Sequence, residues 1–158
     1  MDVLVIGLGN RDRGDDAAGL VAADLLLPRL PAGVRVVHHE GEPTALVDVW
    51  RGADAVVLID ATSSESPPGT LHRFEAAQAP LPARHLGRSS HALRPATAIE
   101  LARALGRLPH RLLVYGVEGE CFDLGAALSP PVHAALPELI ERVLNDLRPL
   151  HAEVRTDA

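Results

Sequence analysis

Lysine is missing altogether: the 15 basic residues are all arginine, set against 21 acidic ones for a formal net charge of −6. Beside the surplus of Ala, Leu and Pro, this bias reads as a codon preference rather than a function. The arginines never form a basic run, which argues against nucleic acid as a partner. Cys121 is the lone cysteine, so an internal disulfide and a cysteine-built zinc site are both excluded. No stretch approaches the ~18 apolar residues of a membrane span. The N-terminus has neither the basic n-region nor the long apolar h-region of a secretion signal. A cytoplasmic protein is expected. What remains is 158 residues, 47% hydrophobic and 23% charged, enough to bury a real core. One domain is expected over residues 1–148, followed by a polar tail, 149–158, able to be disordered.

The most informative stretch is residues 3–19, VLVIGLGNRDRGDDAAG. Val3 to Ile6 form a short apolar run, the mark of a strand buried on both faces. Gly7 and Gly9 permit a tight turn, and Asn10 tolerates unusual dihedrals. Asp15 and Asp16 precede a small, helix-compatible run and sit where N-caps sit. Such strand–turn–helix units often hold phosphate on backbone N–H groups. Here Gly9 and Gly14 have P-loop spacing but are followed by Asp15 and Asp16, not by Lys and Ser or Thr. The dinucleotide fingerprint needs a glycine at position 12, where Asp12 stands. Carboxylates at this mouth would repel a phosphate by several kcal/mol, roughly. The turn suits a cation, and reads as a metal site.

The rest of the chain alternates. Val34 to His39 is a strand, Thr44 to Arg51 a short helix, and Ala55 to Ile59 a strongly apolar strand ending in Asp60. Ser63 to Gly69 is a loop and Thr70 to Glu75 an edge strand. Residues 76–90 form an irregular excursion, and a helix from about Pro95 to Leu105 follows. Leu112 to Val117 is the last core strand, and Val132 to Leu147 a closing amphipathic helix. This order predicts an α/β sandwich with a mostly parallel sheet. Ligands of such sheets gather beyond the carboxyl ends of the strands where strand order reverses, normally between strands one and three. Asp16 follows strand one and Asp60 ends strand three, so both face one crevice.

Two carboxylates leave a coordination shell incomplete. Of eight histidines, His38 and His39 end strand two, and His91 sits in a polar loop entering a helix. These three are the candidates; His72 and His85 fall in an edge strand and a loop, and His110, His133 and His151 on the surface. Taken singly, Asp16 is equally a helix N-cap worth ~1 kcal/mol, with Asp15 the plainer cap if Asp16 is a ligand. Cys121 has no placed base beside it and reads as inert packing.

The motifs together resemble the hydrogenase maturation proteases, endopeptidases that trim the C-terminal extension from the precursor of the nickel-iron hydrogenase large subunit. The family's opening pattern matches Gly7, Gly9, Asn10, Asp15, Asp16 and Gly19. Its strand-end Asp and following Pro-Gly-Thr match Asp60, Pro68, Gly69 and Thr70; its serine loop and helix-entry His match Ser89, Ser90 and His91. Gly116, Val117, Leu128, Ser129 and Pro130 match the last motif. The likeness spans about residues 2–147. Glu40-Gly41-Glu42-Pro43 fits the family's acidic-glycine turn only in part, and loop 76–90 has no clear counterpart.

The resemblance implies a single-domain three-layer sandwich: a sheet of about five strands, mostly parallel, with helices on both faces. It implies that Asp16, Asp60 and His91 are both the metal-binding and the catalytic residues. The metal would be nickel, supplied by the nickel-loaded large-subunit precursor, which is the expected partner. A bound divalent ion can polarise a scissile carbonyl or lower a water's pKa, and a displaced carboxylate can act as general base. There is no His-Glu-x-x-His helix and no serine or cysteine triad. The alternatives are a nucleotide-binding α/β module using the Gly7–Gly9 turn and a chaperone that inspects nickel without cutting.

Overall fold

The first strand, β1 (Val3–Leu8), is buried along its whole length. The computed structural model describes residues 2–85 and 93–156. After β1 come a 3₁₀ turn at Gly14–Ala17, α1 (Ala18–Leu26), β2 (Val34–His39), α2 (Pro43–Val49) and β3 (Ala55–Thr62). Then follow β4 (Leu71–Glu75), α3 (Pro95–Ala104), β5 (Arg111–Glu118) and α4 (Pro130–Thr156). The five strands stand in the order β2-β1-β3-β5-β4. All neighbours are parallel except β4, which runs antiparallel to β5 at the edge.

Side chains alternate across the sheet and so build two cores. Leu4, Ile6, Val56 and Leu58 meet Trp50 and Ile99 on one face, under α2 and α3. Val5, Val57 and Ile59 meet Leu26, Leu139 and Val143 on the other, under α1 and α4. This is the expected three-layer sandwich. Because β1 and β3 are covered on both faces, their sequences are continuous apolar runs rather than alternating ones.

Three local expectations change. Strand β3 does not stop at Ile59; Asp60, Ala61 and Thr62 continue it in register with Gly116, Val117 and Glu118. Asp60 is therefore a buried strand residue. Helix α4 starts earlier and runs to Thr156 with Pro149 inside it, so the backbone of 149–156 is helical where an unstructured tail is expected; residues 157–158 lie outside the described residues. Of the irregular stretch 76–90, residues 83–85 form a 3₁₀ turn, and positions 86–90 lie outside the described residues. Among the described residues no helix is long and apolar enough to cross a membrane.

One glycine fixes the site. A Cβ on Gly19 would lie 2.2 Å from the Ile59 carbonyl oxygen and 2.3 Å from that of Leu8. Helix α1 thus rests directly on the ends of β1 and β3, an approach only glycine allows. That contact sets the preceding turn, with Asp16, over the gap between the two strands.

Candidate active site

Asp16 and Asp60 come together as expected, and what joins them is Arg94. Asp60 is fully buried and Asp16 nearly so, at 6% exposure. The Arg94 guanidinium donates to both Asp16 oxygens, Nη1 to Oδ1 at 2.6 Å and Nη2 to Oδ2 at 2.5 Å. Its Nη1 also donates to Asp60 Oδ1 at 3.3 Å, and the Arg94 backbone N–H donates to Asp60 Oδ2 at 2.7 Å. Burial drives the Asp60 pKa up to about 7, against the charge and N–H of Arg94 and with help from the charge of Asp16. Burial also opposes the charge on Arg94, but its hydrogen bonds to Asp16 and the charges of both carboxylates outweigh it and hold its pKa above the ordinary value.

His91, the expected third ligand, lies outside the described residues. The other two candidates are engaged elsewhere: His38 Nε2 meets Asp24 Oδ1 at 2.8 Å, and His39 Nδ1 accepts from the Gly41 N–H at 2.8 Å. Both line a cleft of about 690 Å³ with Asn10, Arg11 and Glu40. His72, in the edge strand β4, and His85, in the 3₁₀ turn at 83–85, are both buried. Their rings meet edge-on at 4.9 Å. Burial, with the neighbouring His72 and Arg84 charges, pushes the His85 pKa down to about 4, so this imidazole is neutral. Among the described residues no three His, Cys, Asp or Glu side chains are placed to share an ion.

Asp15 is not a helix cap. Neither the 3₁₀ turn nor α1 has a side-chain cap. The buried Asp15 carboxylate instead accepts from Glu120 N at 2.7 Å, Cys121 N at 3.0 Å, Ser129 N at 2.7 Å and Ser129 Oγ at 2.7 Å. Burial alone would raise its pKa, but these donors prevail and hold it below the usual carboxylate range. Cys121 takes part through its backbone, whose carbonyl accepts from Asp15 N at 2.8 Å.

The glycine turn makes no phosphate cradle. Gly9 N donates to the His39 carbonyl at 3.2 Å and Asn10 N to that of Asp16 at 3.2 Å, while Asp12 N donates to Asn10 Oδ1 at 2.9 Å. Donors that would greet an anion are spent within the protein, and the two carboxylates face a cation instead. Hard carboxylate oxygens from the turn after β1 and from within β3 converge on the positive charge of Arg94, and their charge and donor type would also suit a divalent ion.

A mostly parallel sheet with helices on both faces and a buried carboxylate pair at its switch point defines an α/β sandwich with its candidate site at that point. Residues 29–146 match the sequence profile of the hydrogenase maturation proteases (HycI). The hydrogenase expression/formation protein HupD of Thiocapsa roseopersicina is 32% identical over 152 residues, covering 92% of this chain and 67% of that protein. Hydrogenase 2 maturation protease of Escherichia coli (strain K12) is 29% identical over 152 residues, covering 94% and 92%. The solved structure of the hydrogenase maturating endopeptidase HybD from E. coli superposes with a TM-score of 0.81 at 28% identity, covering 94% of this chain and 93% of that one. The chain belongs to the hydrogenase maturation protease family.

Arg94 was not foreseen. The one signal in the sequence is local: a cation immediately before Pro95 opens helix α3, where the helix dipole disfavours positive charge. Residues that break a local rule in this way are found at functional sites.

Proposed function

We propose that this chain is an endopeptidase that removes the C-terminal extension from a nickel-iron hydrogenase large-subunit precursor after nickel has been inserted. Asp16, Asp60 and His91 grip the nickel carried by the precursor and so test that loading is complete. The observation that supports this reading is the convergence of two buried carboxylates, Asp16 from the turn between β1 and α1 and Asp60 from within β3, on one cation, the Arg94 guanidinium. Nickel there supplies Lewis acidity toward the neighbouring peptide carbonyl or a water. The chain's own part is to orient: Asp60 is held by strand pairing and by the Arg94 N–H, and Asp16 by the Gly19 contact beneath it. A cytoplasmic location belongs to the same reading.

The test is to mix purified protein with nickel-loaded and nickel-free precursor and weigh the products. Trimming of the loaded form alone is expected, and its loss in His91→Ala with the fold intact. Normal trimming by that variant would refute the assignment of the trio. Binding of loaded precursor without any cleavage would identify a nickel-checking chaperone instead.

A further inference from the structure

We infer that Arg94 is a specificity-determining residue: its guanidinium occupies the dicarboxylate site as an internal counter-cation, so that a free metal ion binds weakly, having to displace it unaided, and a metal presented by a protein displaces it more readily. This rests on the proposed role of Asp16 and Asp60 in gripping metal. Every oxygen of the two carboxylates accepts a hydrogen bond from Arg94, three of these four bonds from the guanidinium and one from the backbone N–H. A divalent ion needs the same lone pairs. Arginine cannot yield by losing its proton, so it must move. The backbone N–H is not obliged to follow, and can keep Asp60 oriented as the side chain departs.

The arginine is built into place. Its aliphatic stem lies under the turn between β2 and α2, where a Cβ on Gly41 (φ +97°) would come within 2.9 Å of Arg94 Cδ. Its side chain is 23% exposed, open enough to swing outward into solvent. A hydrated ion offers the displaced guanidinium nothing in exchange. A polypeptide that brings the metal also brings carbonyl and carboxylate acceptors for a planar donor fork. The preference is therefore a difference between two ligands, made by burdening the unwanted one.

The experiment is calorimetric titration of nickel chloride, with no precursor, into wild type, Arg94→Gln and the control Asp60→Asn. Arg94→Gln is expected to bind nickel roughly ten- to a hundredfold more tightly than wild type, the worth of one charge-assisted hydrogen bond, and Asp60→Asn to bind it no better than wild type. Equal or weaker binding by a folded Arg94→Gln would overturn the inference. Should that variant not fold, wild type decides alone. Zinc chloride titrated into ¹⁵N-arginine-labelled protein must shift the Arg94 Nε–H resonance as zinc binds, and zinc binding with that resonance unmoved would overturn it equally. Neither readout involves trimming. Nickel-dependent trimming with unchanged metal affinity in Arg94→Gln would sink this inference and leave the protease reading intact, whereas tighter nickel binding by Arg94→Gln with no trimming of loaded precursor by wild type does the reverse.

Discussion

Replacing Asp15 by asparagine removes a charge and turns one acceptor oxygen into a donor, with no change of shape. In the native site Oδ2 accepts three bonds, from Glu120 N, Cys121 N and Ser129 Oγ, and Oδ1 accepts one from Ser129 N. The best asparagine rotamer keeps its oxygen toward the three donors and turns its amide toward Ser129 N–H. That buried N–H then faces another donor, at a cost of about 1–3 kcal/mol, and the three surviving bonds lose their charge assistance. A total of roughly 2–4 kcal/mol follows, or about 5–15 °C in melting temperature for a domain of this size. Differential scanning calorimetry at pH 7 measures it. The pH dependence gives a second check. Because the folded pKa of Asp15 is depressed, its stabilisation is complete above the unfolded value of about 4 and disappears as pH falls through the folded one. Acid should therefore destabilise wild type more than Asp15→Asn, narrowing the gap between their melting temperatures below pH 4. A variant within about 2 °C of wild type at pH 7, or a gap that widens in acid, would refute the reasoning.

Gly19→Ala should fail to fold or lose several kcal/mol, since backbone oxygens at 2.2 and 2.3 Å from the new methyl cannot yield without separating α1 from the sheet; soluble expression and circular dichroism report it. Asp60, with a folded pKa raised to about 7, favours folding fully below the unfolded value near 4 and loses that advantage as pH rises toward 7. Asp60→Asn, unable to ionise, should accordingly lose less stability than wild type between pH 5 and 8, by an amount on the order of 2–4 kcal/mol, in urea unfolding followed by fluorescence. Asp146 binds the Tyr115 hydroxyl and the Arg73 Nε at 2.9 Å, joining α4 to β5 and β4. Asp146→Asn should lower stability by about 1–2 kcal/mol in the same assay.

The architecture was legible because it rests on local patterns. Apolar runs at Val3–Ile6 and Ala55–Ile59, with turns between them, define doubly covered strands, and the parallel-sheet rule then places Asp16 and Asp60 at one crevice. Boundaries were less legible. Strand β3 carries on through Asp60 because β5 continues beside it, and a partner more than fifty residues away along the chain leaves no mark on the local pattern. The same reason hid the fate of Asp15, whose donors come from Glu120, Cys121 and Ser129. The places of His72 in an edge strand and His85 in a loop say nothing of their burial. Both histidines are buried because Phe74 and Thr62 pack against them, a tertiary fact.

The buried carboxylates at this end of the sheet divide into two kinds. Asp15 and Glu118 are satisfied mainly by fixed donors: Asp15 by N–H groups of the loop after β5, Glu118 by Ser64 N at 2.8 Å and Ser66 N at 3.2 Å in the loop after β3. Backbone donors cannot leave without unfolding a loop, so these two charges act as anchors of those loops. Asp16 and Asp60 depend chiefly on one long side chain that is partly open to solvent. Removing a partner from a buried charge is costly unless another cation takes its place. The anchored pair therefore holds the loops after β3 and β5, and the arginine-bridged pair is where an exchange of positive charge would cost the least structure.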